Sequence, residues 1–248
     1  MRDRDFAERL IDRAKAAKCS ALVLTLDLQV QGQRHRDLKN GLAVPPKLTW
    51  DTFWDIAFKP RWALNVLGSK RKSFGNLEGR IPDAHSLTTL SQWIAGQFDP
   101  TLSWKDVEWV KNQWGGPLIL KGILDVEDAK IAATSGADAI VVSNHGGRQL
   151  DGAVSSIRAL PEIAHAVGDR IEVWFDGGVR SGQSLLKALA LGAKAALLGR
   201  AFVYGLGAMG EAGVTRALEV IQKELDVTMA LTGLRDVRQA SPAILRAA

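Results

Sequence analysis

The sequence predicts an α/β protein assembled from about five strand–helix units. Three observations carry this. Five apolar runs, at 21–27, 117–121, 138–143, 171–175 and 195–198, read as buried strands. The last four begin roughly 20 to 35 residues apart with helical periodicity between them, the repeat of a strand–helix unit. Each run also ends in a polar or charged residue, and α/β folds place their active sites at the carboxyl ends of their strands.

The elements follow in order. Residues 3–17 carry Phe6, Leu10, Ile11 and Ala14 at helical spacing with charges between, which predicts an amphipathic helix. The strand at 21–27 ends in Asp27. Cys19, the single cysteine, excludes an internal disulfide, and its apolar neighbours Ala21, Leu22 and Val23 predict a buried thiol. The charged start Met1-Arg2-Asp3 is unlike a secretory signal, and no apolar run approaches the roughly 18 residues of a membrane span. A cytoplasmic setting is the expectation. The net charge of +5 suits an anionic ligand or surface without choosing between them.

From Gln29 to about Gly116 the strand–helix rhythm stops. Arg34, His35, Arg36 and Lys39 make a basic stretch. A long excursion at 41–115 then holds Pro45, Pro46, Pro60 and Pro82. It interleaves Trp50, Phe53, Trp54, Phe58 and Trp62 with Lys59, Arg61, Lys70, Arg71 and Lys72. Such a mixture fits a surface lying on anionic lipid, a stacking surface for single-stranded nucleic acid, or a lid whose tryptophans are simply buried. The expectation carried forward is a lid or membrane-facing excursion, with no nucleic-acid partner. Short helices are expected at 87–97 and 104–113, the second capped by Ser103 with Asp106 in its first turn.

After Gly115 and Gly116 the units resume. The strand at 117–121 ends in Lys121. A helix runs from Val126 to Ser135 and stops at Gly136, and the strand at 138–143 follows. Helices are expected at about 160–167, at 182–191 before Gly192, and at about 212–231. The whole of 1–248 reads as one domain.

If the strands are parallel neighbours, their ends bring Asp27, Lys121, His145, Arg148, Asp176, Arg180 and Arg200 together. Gly177-Gly178-Val179-Arg180 and Gly199-Arg200 are glycine-backed loops that open helices. Glycine lets backbone N–H groups approach phosphate oxygens, and the helix start and the arginine add positive charge. His145 can exchange a proton near neutral pH. An ionised Asp27 beside it would hold its tautomer. Arg148 can clamp a carboxylate with two hydrogen bonds, and Lys121 supplies a point charge. This is equipment for taking a proton or hydride equivalent from a small carboxylate-bearing substrate, opposite a phosphate-bearing cofactor.

The run Ser143-Asn144-His145-Gly146-Gly147-Arg148-Gln149-Leu150-Asp151 resembles the signature of FMN-dependent α-hydroxy acid dehydrogenases and oxidases. Leu24-Thr25-Leu26-Asp27, Leu118-Ile119-Leu120-Lys121-Gly122, Asp176-Gly177-Gly178-Val179-Arg180 and Leu198-Gly199-Arg200-Ala201 resemble further motifs of that family in the same order. Ser103-Trp104-Lys105-Asp106 and Trp114-Gly115-Gly116-Pro117 lean toward its flavin L-lactate dehydrogenase branch. The resemblance implies a (β/α)8 TIM barrel, FMN as cofactor, and oxidation of an (S)-2-hydroxy acid, L-lactate first. It implies His145 as base, Asp27 as its partner, Arg148 and Arg34 at the substrate, and Lys121 beside flavin N1 and the C2 carbonyl. It places Thr25 and Ser143 against the isoalloxazine. Asp176, Gly177, Gly178, Arg180, Gly199 and Arg200 would hold the ribityl phosphate. It further implies quinone, oxygen or a cytochrome as electron acceptor, a homo-oligomer, and peripheral attachment to the inner face of the cell membrane. No metal is implied. Carbanion and hydride routes both stay open.

One departure stands out. The chain starts at what would be the helix after strand three, so strands four to eight are present and the expected fold is a partial barrel with a long insertion. Two substrate-binding tyrosines belong to the absent part, and Tyr204, the only tyrosine here, follows the last strand motif. Leu28-Gln29 also stands where many relatives carry Thr-Pro. A competing expectation is therefore an inactive or split fragment that serves only as a binding or assembly module. Another FMN barrel enzyme, such as an isomerase, is disfavoured by the pairing of a base with a carboxylate clamp.

Overall fold

The computed structural model describes residues 2–30, 32, 34–35, 39–40, 49–69, 75–77 and 87–245. Arg36, Pro45, Pro46, Lys70, Arg71, Lys72 and Pro82 of the basic, proline-bearing stretch lie outside the described residues. Two compact units emerge, residues 1–13 with 29–101, and residues 14–28 with 102–248.

The second unit holds the sheet. Its strands are β1 (Leu22–Thr25), β2 (Leu118–Ile123), β3 (Ala139–Ser143), β4 (Glu172–Asp176) and β5 (Ala195–Leu197). All neighbours pair in parallel and in sequence order. Among the described residues β1 and β5 are open edges. Parallel neighbours require a crossover, and helices supply it. After α1 (Arg4–Ala16), which precedes β1, come α2 (Trp50–Ala57), α3 (Pro60–Gly68), α4 (Leu87–Gly96) and α5 (Trp104–Trp114). Then α6 (Val126–Ala132), α7 (Ser156–Val167), α8 (Gly182–Ala190), α9 (Arg200–Met209) and α10 (Glu211–Leu231) alternate with or follow the later strands.

Side chains alternate between the two faces of a strand. Leu118, Leu120, Ile140, Val142, Val173 and Phe175 share one face and are all buried. Helix α6, with buried Ala129 and Ala132, packs on β2; α7, with buried Leu160, Ile163 and Val167, packs on β3 and β4; and α8, with buried Leu186, packs on β5. The opposite face carries Ile119, Ala139 and Val141, with Ala21, Trp174 and Leu197 packed against them. The strand interiors are thus apolar on both faces, as a covered parallel sheet requires.

Most expected elements occur within a few residues of their predicted limits. Asp106 Oδ2 accepts from the Ser103 backbone N–H at 2.6 Å and from its hydroxyl at 2.9 Å, closing the start of α5 as its sequence predicts. Two expectations need correction. Cys19 is exposed rather than buried. It lies in the turn that ends α1, where Lys18 takes φ +55° and the Cys19 N–H donates to Ala14 O at 3.0 Å. The apolar run beside it starts only afterwards. The helix expected at 160–167 begins at Ser156 and carries Pro161 inside. Ala159, Leu160, Ile163 and Val167 bury one stripe, and that packing carries the helix through the proline. Helix α9 opens at Gly199-Arg200 as expected, and two helices, α2 and α3, were not separately foreseen.

In the first unit, Phe6 is buried and meets the Trp93 ring edge-on at 5.0 Å. Along α2, Trp50, Phe53, Trp54 and Phe58 contact one another in series at 5.5 to 6.1 Å. They do so while exposed, Trp50 at 78% and Phe58 at 80%. Leu64 and Leu67 of α3 are exposed as well.

Candidate active site

The register dictates which polar groups converge. Thr25 lies opposite Lys121, and Ser143 lies opposite Asp176. By strand parity Thr25, Lys121, Ser143 and Asp176 continue the face that holds Ile119, Val141 and Trp174. Three of them form a closed triangle. Lys121 Nζ is 3.0 Å from Ser143 Oγ and 3.0 Å from Asp176 Oδ2, and Ser143 Oγ donates to Asp176 Oδ2 at 2.7 Å. Ser143 is 0% exposed.

A bulge aims the next group. The β2–β3 register slips between Lys121 and Ile123, and Gly122 takes φ +105°. A Cβ on Gly122 would lie 2.8 Å from both Cβ and Cγ of Asp27. Glycine therefore allows Asp27 to seat against the end of β2. Asp27 Oδ1 then lies 3.3 Å from His145 Nδ1. The Asp27 backbone carbonyl accepts from Gln149 Nε2 at 3.1 Å, tying the motif loop to the end of β1. Among the described residues Asp27 Oδ2 is a buried oxygen without a hydrogen-bond partner. Pairing through Nδ1 leaves His145 Nε2 as the ring nitrogen with capacity for a substrate proton.

The loop after β3 winds tightly. His145, Gly146 and Gly147 take φ of +56°, +69° and +72°. The left-handed region is uncommon for histidine. Both flanks are pinned: His145 N–H donates to Ser143 Oγ at 3.0 Å, and Gly147 N–H donates to Asn144 Oδ1 at 3.2 Å.

A cleft of about 410 Å³ opens over these strand ends. Lys121, His145, Arg148, Asp176, Arg180 and Arg200 line it, together with Gly177, Gly178 and Gly199. Thr25, Asp27 and Ser143 are not among the residues that line it, while Arg34 belongs to the first unit and is half-buried there. Sequence reasoning passed over Gly146, Val179, Leu197, Leu198 and Val203, which also line the cleft. They carry no chemistry that a sequence could advertise. It also passed over Gln149, whose place inside the signature run was the available signal.

The donor set fits a phosphate. Gly199 caps α9 without any side-chain hydrogen bond, so the first N–H groups of that helix have no side-chain acceptor. A Cβ on Gly199 or on Gly178 would meet nothing within 4 Å, which marks open space beside backbone. Arg180 and Arg200 supply two guanidinium groups at the same wall. Backbone donors, a helix start and two fixed cations suit a dianion, and Lys121 lies deeper on the sheet face for the rest of a flavin mononucleotide.

Known proteins resemble this chain throughout. An L-lactate dehydrogenase of Caulobacter vibrioides is 49% identical over 247 residues, 99% of this chain and 64% of its own length. An L-lactate dehydrogenase from another Caulobacter strain is 50% identical over 246 residues with the same coverage of 99% and 64%. The crystal structure of the monotopic membrane protein (S)-mandelate dehydrogenase superposes with a TM-score of 0.91 at 36% identity, covering 98% of this chain and 64% of that one. The chain thus spans about 64% of the length of the relatives it matches, and its open five-stranded sheet is a partial TIM barrel. Residues 1–247 match the family described as FMN-dependent dehydrogenase, and this chain belongs to that family.

Proposed function

We propose that this protein oxidises an (S)-2-hydroxy acid, L-lactate in the first instance, to the corresponding 2-oxo acid with FMN as its cofactor. The observation that carries the reading is His145, held on Asp27 at 3.3 Å and lining the same cleft as Arg148, Lys121 and the phosphate cradle. Bound FMN would supply the two-electron acceptor. Arg148 clamps the substrate carboxylate and so orients the carbinol carbon. His145 Nε2 takes one substrate proton, and Asp27 stabilises the imidazolium that results. Lys121 places positive charge where the cofactor gains electrons. Arg180, Arg200 and the amides around Gly177, Gly178 and Gly199 hold the phosphate end. Arg34 is assigned to the substrate side and Thr25 to the ring system, both on the strength of the sequence motifs. The named relatives being L-lactate dehydrogenases supports lactate over larger acids.

The test is optical. Purified with FMN, the protein should show the flavin band at about 450 nm and lose it on anaerobic addition of L-lactate. A protein that binds FMN but does not bleach with any 2-hydroxy acid overturns the catalytic reading. It would favour the second one, a binding or assembly module.

We further propose a peripheral membrane site on the cytoplasmic face, with a quinone as electron acceptor. The support is the exposed aromatic series of α2 beside exposed Leu64 and Leu67, an arrangement suited to the headgroup boundary. Among the described residues no helix is long and apolar enough to cross a membrane. Vesicles rich in phosphatidylglycerol should sediment the protein, and deletion of residues 50–75 should release it. Equal sedimentation of the deleted form rejects the site. Homo-oligomer formation belongs to the same proposal and is read by light scattering.

A further inference from the structure

We propose that Ser143 is a positioning residue whose hydroxyl locks the Lys121 ammonium and the strained His145 backbone into one unit. The inference rests on the function proposed above but is carried by separate geometry. A hydroxyl has one donor and two acceptor sites. Lys121 Nζ and the His145 N–H can only donate, and an ionised Asp176 can only accept. The direction of every bond at Ser143 is therefore forced: it accepts from Lys121 at 3.0 Å and from His145 N at 3.0 Å, and it donates to Asp176 at 2.7 Å. All three sites are used, and the side chain is fully buried. Through these bonds Ser143 acts on its neighbours, in addition to the contact with the ring system that the sequence motif implies.

Two consequences follow at those neighbours. The Lys121 ammonium donates to Ser143 and pairs with Asp176 from a side chain that lines the cleft, so its position there is set by the buried hydroxyl. His145 holds φ +56°, a conformation that a non-glycine residue keeps only where surrounding contacts fix it. The bond from its N–H to Ser143 Oγ is the contact that anchors it to β3. One buried hydroxyl thereby ties the cation that faces the cofactor to the base that faces the substrate.

The experiment compares Ser143→Ala and Ser143→Thr with Val142→Ala, a core substitution one residue away. Two quantities are read in the full-length chain: hydrogen exchange of the His145 amide, and FMN affinity by fluorescence quenching. Ser143→Ala should speed His145 exchange about tenfold and weaken FMN binding about 5- to 10-fold, the loss of one buried hydrogen bond. Ser143→Thr, which keeps the hydroxyl, should restore both toward wild type. Val142→Ala should lower the melting temperature while leaving His145 exchange within twofold. Unchanged His145 exchange in Ser143→Ala, or an equal change in Val142→Ala, overturns the proposal. If Ser143→Ala does not fold, the wild-type chain decides, because the His145 amide should exchange at least tenfold more slowly than that of Gly146; equal rates overturn it. If the wild type binds no FMN, the function reading fails, and the exchange data still judge the lock.

Discussion

The two ends of the same five strands are built on opposite terms. At the amino ends, polar groups are paired at short range. Asp138 Oδ2 accepts from Lys111 Nζ at 2.9 Å and from Leu118 N at 2.8 Å. Trp114 Nε1 donates to Pro117 O at 2.8 Å, and Lys111 also reaches Gly116 O at 3.1 Å. The Lys111 ammonium, aided by the Leu118 amide, holds the Asp138 carboxyl below the usual carboxylate range. At the carboxyl ends, Gly122, His145, Gly146, Gly147 and Gly178 take positive φ, and among the described residues Asp27 leaves one buried oxygen without a hydrogen-bond partner. Positive φ occurs at the amino ends too, at Lys18, Gly115, Gly136 and Gly192, where helices stop before the strands. What the carboxyl ends add is the bulge under Asp27 and that buried oxygen. A buried polar group left open marks a candidate ligand site, and close pairing marks the end that holds the fold.

This contrast predicts which property each substitution moves. The largest effect belongs to His145→Gln. Glutamine keeps a polar side chain but cannot take the proton, so reduction by L-lactate should slow by about 10² to 10⁴ while FMN stays bound and the melting temperature holds. Loss of FMN with the rate restored by added cofactor would contradict the base assignment. Leu118→Ala is the counterpart at the amino end. Leu118 is 0% exposed, and its truncation should cost about 2–5 kcal/mol of stability in denaturant titrations. Turnover per folded molecule should not change. A fall in turnover there, at equal folded fraction, would mean the two ends are not separable.

Much of this division could be read from the chain. The five strands were legible because each is a short apolar run followed by a polar terminus, and burial on both faces leaves no other reading for Ala139-Ile140-Val141-Val142. His145, Arg148, Arg180 and Arg200 were legible because imidazole and guanidinium beside glycine are poor turn material. The Asp27–His145 pair needed only that β1 and β3 flank β2. The triangle at Ser143 was not legible. Asp176 sits in a glycine-rich phosphate-type loop, and nothing in its spacing says that its carboxylate turns onto Lys121. That outcome depends on a register that sets Ser143 opposite Asp176, which appears only once the strands are paired. The bulge at Gly122 was hidden for the same reason, as one glycine after a strand looks like any turn. Cys19 was misplaced because its neighbours are apolar while its own position belongs to the helix stop.

Gly122→Ala probes that hidden device with a smaller expected effect. Alanine at φ +105° is strained, and its Cβ would press on Asp27, so a loss of about 1–3 kcal/mol is expected. The strained site sits at the functional end, so activity should fall with stability. The fall should be in kcat more than in KM, since in the proposed mechanism Asp27 acts on the base and Arg148 holds the substrate. An effect confined to stability would show that the Asp27 seat is not needed for turnover.

Asp138→Asn should do the reverse at the other end, and it is the smallest effect. Removing the charge weakens the bonds to Lys111 and Leu118 and should lower the melting temperature by roughly 2–4 °C, about 1 kcal/mol, with kcat unchanged. The sign of its pH dependence follows from the depressed carboxyl. The folded value lies below that of the unfolded chain, near the ordinary 3.9 for aspartate. The contribution is therefore fully present above the unfolded value, and it is lost as pH falls through the folded one. Wild type should lose its advantage over Asp138→Asn as the buffer is taken from pH 6 to about pH 3. Parallel melting curves across that range would show that Asp138 does not hold the amino ends, and the contrast between the two ends would then rest on packing at Leu118 alone.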